Sequence, residues 1–167
     1  MTKGVNLLIC FLRYSCSVVL LAALLACLLL STGYSAGEQG TSPEERQVGE
    51  LISHYFKSWS KPDMQAYESC FHPQASIYFI DPSGKPHYSP LNKFIAGEKK
   101  SHRSPTEPPI EKPTQSSVEV QGRIAHATVR WELIKGRTSV TGTDYFTFLK
   151  TDPGWRILTL VYESDKK

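Results

Sequence analysis

The sequence predicts an α+β domain in which helices gathered in the N-terminal half cover a long antiparallel sheet built by the C-terminal half. Two patterns carry that prediction. Residues 117–163 contain runs rich in Val, Ile, Thr, Phe, Tyr and Trp, punctuated by Gly122, Gly136 and Pro153-Gly154, the composition and spacing of strands joined by tight turns. Further upstream, Val48, Leu51, Ile52, Tyr55, Phe56 and Trp59 recur at helical spacing, which makes one wide apolar stripe. Helices segregated to one face of an antiparallel sheet define the α+β class. The chain has 167 residues, 40% hydrophobic and 21% charged, the size and composition of about one ordinary globular domain. It shows no internal repeat.

In chain order, residues 1–36 read as an export signal or a membrane anchor. Lys3 and Arg13 are the only charges in the first thirty residues, and they are followed by SVVLLAALLACLLL. Small residues at 31–33 and 34–36 suit cleavage, while residues 5–30 nearly supply the roughly 20 apolar residues of a spanning helix. Cys27 in LLAC is a candidate lipidation site. The expected location is therefore exported, periplasmic or secreted, with membrane contact only through this segment if it is retained. Cys70 is then the sole cysteine left, so no intrachain disulfide is expected and the core must hold the domain together. Removing Lys3 and Arg13 from the 19 basic residues leaves a charge near +1 against 16 acidic ones. No basic stripe with interleaved aromatics is present, which argues against nucleic acid.

Residues 37–43 form a polar spacer and residues 44–163 the domain, with 164–167 as a polar tail. Ser42-Pro43-Glu44-Glu45 is a helix start, with Ser42 as cap and Pro43 at the first helical position. Lys61-Pro62-Asp63 ends that helix, and Asp63 caps a second through Met64, Tyr67 and Cys70. Residues 75–80 form a strand, Asp81-Pro82-Ser83-Gly84 a turn, and residues 85–88 the returning arm. Pro90 opens a third helix through Leu91, Phe94 and Ile95, ended by Gly97. Residues 98–115, with four prolines, read as a long loop or flap.

The strands 118–121, 124–134, 140–150 and 155–162 are expected to pair sequentially. With residues 135–139 as the middle loop, Arg130 falls opposite Asp144 and Thr128 opposite Phe146. That register predicts a buried Arg130–Asp144 ion pair. It also places Tyr145, Thr147, Leu149, Leu158, Leu160 and Tyr162 on an outer face apolar enough to form a homodimer.

The segments YFKSWSKPDMQAYESCFHPQASIYFIDPSGK, PLNKFIAG, GRIAHATVRWEL and DYFTFLKTDPGWRILTLVYE resemble the lumazine-binding branch of the nuclear transport factor 2-like superfamily, which also contains the SnoaL-like polyketide cyclases and the ketosteroid isomerases. The resemblance implies a cone-shaped fold whose curved sheet wraps around about three helices and leaves a pocket at its open end, frequently in a dimer. In the isomerases resembled here, an acidic base and buried proton donors work in an apolar cavity, where desolvation raises a carboxyl pKa.

These considerations point to a non-catalytic module that holds a small apolar or aromatic molecule, assembles as a dimer, or does both. The pocket residues expected are Tyr55, Trp59, Tyr78, Arg130, Asp144 and Phe146. The alternative is a cofactor-independent isomerase or cyclase-like enzyme, with Asp144 as general base and Tyr78 or His126 as donor; His87 and Tyr162 are further donors to consider. The chain has no H-x-x-x-H pair and no cysteine cluster, so no metal is expected. It also lacks a phosphate-binding glycine loop, a dinucleotide fingerprint and a serine elbow, so no cofactor is expected.

Overall fold

Six strands form one sheet in the order β2-β1-β6-β5-β4-β3, with three helices against its concave face. The computed structural model describes residues 41–103 and 108–165. In chain order the elements are α1 (Pro43–Ser60), α2 (Met64–Ser69), β1 (Phe71–Ile80), β2 (Pro86–Pro90), α3 (Leu91–Ser101), β3 (Ile110–Gln121), β4 (Ile124–Lys135), β5 (Thr138–Thr151) and β6 (Gly154–Ser164). All neighbours pair antiparallel except β1 and β6, which run parallel. That pairing unites the short N-terminal hairpin with the long C-terminal meander. It was not among the sequential pairings expected, because the partners are far apart in the chain.

Helix α1 begins as its sequence dictates. The Ser42 hydroxyl accepts the Glu45 backbone N–H at 3.1 Å, and the Glu45 carboxylate accepts the Ser42 N–H at 2.6 Å. This reciprocal capping box satisfies two amide donors that the helix cannot pair internally. Val48, Ile52, Tyr55, Phe56 and Trp59 are buried along one face, each contributing roughly 1.5–3 kcal/mol through removal from water. Asp63 caps α2 by accepting from Ala66 N–H, and Tyr67 from that short helix reaches the same core.

Several boundaries differ from the expectation. Gly97 does not end α3, which runs through it to Ser101; no Cβ contact or positive φ demands glycine there, and a lone glycine only weakens a helix that packing already holds. The expected proline-rich loop over residues 98–115 is shortened from both ends: residues 98–101 continue α3 and residues 110–115 open the strand β3, with Pro113 within it. β3 is an edge strand whose register shifts between Pro113 and Gln115, the setting in which a residue without an N–H is tolerated. β1 likewise starts at Phe71, earlier than expected, with a register irregularity before Ser76.

Two further differences decide which side chains face inward. The β4–β5 hairpin closes through only Gly136 and Arg137, with Lys135 opposite Thr138 and Gly136 at φ 58, a conformation that glycine adopts without penalty. Arg130 therefore pairs with Thr143, and Asp144 with Val129. One step of register moves every side chain to the other face. In the last hairpin, Phe148 pairs with Ile157 but Thr147 with Thr159, so Leu158 is an extra residue, a bulge. Ile157 and Leu160 consequently both point into the core, at 0% and 1% exposure, and Leu160 leaves the outer face assigned to it.

Among the described residues, no helix is long and apolar enough to cross a membrane. This corrects the expectation of a membrane anchor as far as the described residues reach. The stretch on which that expectation rested, including Cys27, lies outside the described residues.

Candidate functional site

A cavity of about 190 Å³ lies between the three helices and the concave face of the sheet. α1 contributes Tyr55 and Trp59, α2 contributes Tyr67, and α3 contributes Phe94 and Glu98. From the sheet come Glu111 of β3, Trp131 and Leu133 of β4, Asp144 of β5, and Tyr162 and Ser164 of β6. Odd-numbered positions of β4 face inward, and the shortened hairpin makes even-numbered positions of β5 their neighbours, which is how Trp131 and Asp144 reach the same space.

Gly142 makes their meeting feasible. It sits directly across from Trp131 in the β4–β5 pair, and the indole ring occupies the place where a Cβ on residue 142 would be, with the Glu163 carbonyl also in the way. The ring lies across this bare stretch of strand and its Nε1 donates to Asp144 Oδ1 at 2.7 Å. A second indole does the same nearby: Trp59 Nε1 donates to Glu98 Oε2 at 2.7 Å. The end of α3 is secured to α1 by His102, whose Nε2 lies 2.9 Å from the Trp59 carbonyl.

The site is electrostatically one-sided. Asp144 is 3% exposed, and burial pushes its pKa up to about 7, opposed by the hydrogen bonds from Trp131 and Tyr55 that favour the anion. Burial also raises Glu111 well above the usual carboxylate range, and the charges of Asp144 and Glu98 add to the effect. Tyr55 and Tyr67 are raised well above the ordinary phenol value by burial first and by neighbouring charge second, and Tyr162 is pushed up to about 12. The phenols are thus held as neutral hydrogen-bond donors, while Asp144 exchanges its proton near neutrality.

Of the residues expected in the pocket, Tyr55, Trp59 and Asp144 line this cavity. Phe146 is buried beside it, its ring 5.3 Å from that of Tyr55. The others lie on the convex face and correct the expectation. Arg130 reaches Thr143 and Asp165 rather than Asp144, with its Nη2 2.5 Å from Asp165 Oδ2. Tyr78 packs against Tyr88 at 5.3 Å, on the side of β1 opposite the buried Ile77. His126 is exposed beside Thr147. These three placements follow from strand alternation once the register is known. His87 differs from these in facing the same side as Phe79, its cross-strand partner, but it is exposed at the end of the short β1–β2 hairpin and bonded to Asp81, away from the cavity. Cys70 is a buried thiol that desolvation pushes up to about 12, which makes it a packing residue rather than a nucleophile. Among the described residues, no group of three His, Cys, Asp or Glu side chains could hold a metal ion.

The curved sheet, the helices in its concavity and the aromatic cavity define a nuclear transport factor 2-like α+β cone, with space suited to a small molecule. Residues 43–163 match the family described as "Putative lumazine-binding", and the chain belongs to that family. No curated protein matches the sequence. Solved structures of the same fold include an NTF2-like protein of unknown function from Silicibacter pomeroyi DSS-3, 25% identical with TM-score 0.58, covering 76% of this chain and 100% of its own. Another, from Shewanella baltica OS155, is 21% identical with TM-score 0.57, covering 77% of this chain and 100% of its own. A third, from Pseudomonas putida KT2440, reaches TM-score 0.65 at 12% identity over 77% of this chain and 92% of its own. These likenesses concern the fold.

Proposed function

We propose that the chain is a binding module that holds a small aromatic molecule in the concave cavity. The observation that carries this reading is the convergence of five aromatic side chains with polar tips, Tyr55, Trp59, Tyr67, Trp131 and Tyr162, on one half-open cavity. Apolar walls with a few fixed polar groups are what a ligand pocket requires, and the flat walls favour a flat guest. Lumazine, named in the family description, is a flat heteroaromatic ring and is one compound to include. The test is a titration with a library of small aromatic fragments, lumazine among them, followed by the indole N–H resonances of Trp59 and Trp131. Binders are expected to shift both. A library without effect on either indole would overturn the proposal.

The enzymatic reading is supported by a different observation, the displaced proton affinity of Asp144. A carboxyl that titrates near neutrality in a largely water-excluded site is suited to act as a general base, with Tyr55 or Tyr162 as donor in place of Tyr78 and His126. This reading expects Asp144→Asn to keep ligand binding and abolish turnover. Dimerisation through the convex face is a further element of the proposal, supported by Tyr145 at 43% exposure, which pairs across the sheet with Val161 and shares its strand face with Thr147 and Leu149. Sedimentation across the micromolar range tests it, and a strict monomer would contradict it.

A further inference from the structure

We propose that the concave cavity selects small organic cations over neutral or anionic molecules of the same shape. The inference rests on the reading of this cavity as a ligand site and adds the charge of the ligand to it. Three carboxyl groups, Asp144, Glu98 and Glu111, line the space, and none of the described lining residues is Lys, Arg or His. Two of the carboxylates accept indole N–H groups. Glu111 has burial and like charge acting on it, with no hydrogen bond among the causes that shift it. An anionic guest would meet carboxyl groups and no cation to offset its charge, whereas a cation would stabilise the ionised forms of those groups.

The aromatic walls favour the same choice. The faces of Tyr, Trp and Phe rings carry negative electrostatic potential and attract a cation placed over them, and the cavity is framed by six such rings. The carboxyl groups are not arranged for a metal ion, since no three of them are placed to hold one. Three separated carboxyl groups set in an aromatic wall suit a diffuse charge on a bulky ammonium group better than a compact ion that needs oxygen ligands at close range.

Protons and the cation compete for this site. Asp144 is faced by Tyr55 from α1, Tyr67 from α2, Glu98 from α3, Glu111 from β3, Trp131 from β4 and Tyr162 from β6, a set without a basic side chain. Burial keeps the proton on Asp144 to higher pH than usual, and burial with like charge does the same for Glu111. A bound cation favours the anionic forms and so displaces protons, and by linkage its affinity rises with pH through the neutral range.

The experiment compares choline with its neutral isostere 3,3-dimethylbutan-1-ol on the full chain. Calorimetry at pH 6 and pH 8 gives affinities, and the indole resonances of Trp59 and Trp131 report the place of binding. Choline is expected to bind at least about tenfold more tightly than the alcohol at pH 8, to shift both indoles, to bind more weakly at pH 6, and to release protons on binding. Glu111→Gln, with its fold checked by its amide spectrum, is expected to narrow the ratio between the two compounds. Equal affinities, tighter binding of the alcohol, or silence from both while aromatic fragments still shift the indoles would overturn the charge selectivity and leave the binding proposal standing. Silence from the fragments as well would overturn both.

Discussion

Arg130 and Asp144 stand on adjacent strands, a single register step apart, and meet opposite environments. On the convex face, Arg130 reaches Asp165 in an exposed pair with Thr143 and Thr141 bonded at its margins. Hydrogen bonding from Arg130 holds the Asp165 carboxyl below its ordinary value. On the concave face, Asp144 has no cation, only an indole donor and a neighbouring phenol, and its proton affinity rises. The same residue type is a surface ion in one place and a displaced acid in the other. Water and pairing, rather than residue identity, decide the chemistry.

The largest expected break in this contrast is Asp144→Asn. The folded state holds the Asp144 proton up to about pH 7 against an ordinary value of 3.8, so it binds more protons than the unfolded state between those limits. Stability therefore falls as pH rises from about 4 to above 7, and the full penalty applies above the folded pKa. That penalty is roughly 4 kcal/mol as an upper estimate. Denaturant unfolding at pH 5 and pH 8 should show the loss in the parent chain and a flatter profile in Asp144→Asn, with the variant gaining most at pH 8. A parent profile without a fall across this interval would contradict the burial account.

Gly142→Ala comes next. The new Cβ must displace the Trp131 ring or the Glu163 carbonyl, and forcing atoms into a packed core costs about 1–3 kcal/mol. Thermal unfolding should show the loss together with altered Trp131 indole signals. An unchanged melting temperature would show that the ring does not lie across the strand. Trp131→Phe keeps an aromatic wall but removes the donor to Asp144, leaving the carboxylate short of a partner at a cost of about 1–3 kcal/mol. It should also raise the Asp144 midpoint further, because the lost hydrogen bond favoured the anion.

The smallest effect belongs to the convex face. Arg130→Met and Asp165→Asn should each change stability little, since an exposed ion pair is screened and its side chains lose freedom in forming it. A double-mutant cycle between positions 130 and 144 should give near-zero coupling, the reverse of what a direct ion pair would give. Strong coupling would restore the one-step alternative register.

How much of this was legible follows from which features are local. The stripe of α1 and its capping box are written within a few residues of one another, and both formed as read. The strands were visible in their β-branched and aromatic runs. Register was not, because it depended on Gly136 allowing a two-residue turn instead of a five-residue loop, and on the extra residue Leu158. Those two local events moved Arg130 out of the cavity and Leu160 into the core.

The site was partly legible for the same reason. Tyr55 and Trp59 followed from helical spacing, and Asp144 drew attention as a charge within an apolar strand. Glu98 and Glu111 were hidden because their stretch, rich in proline, read as a loop, and Pro113 masked an edge strand. In the sequence, Trp131 shows only as one aromatic residue of a strand. The signal that might have exposed it is Gly142 in the middle of an otherwise bulky strand, where a missing side chain marks close approach by another group.

The most direct test of the two-faced sheet is a pH titration of the aspartate side-chain carboxyl carbons by nuclear magnetic resonance, assigned with Asp144→Asn and Asp165→Asn. The Asp144 signal is expected to titrate near pH 7 and the Asp165 signal below the ordinary aspartate value. An Asp144 midpoint at or below 3.8 would mean that the carboxyl is solvated or paired with a cation, and would contradict the buried, cation-free cavity on which the functional reading depends.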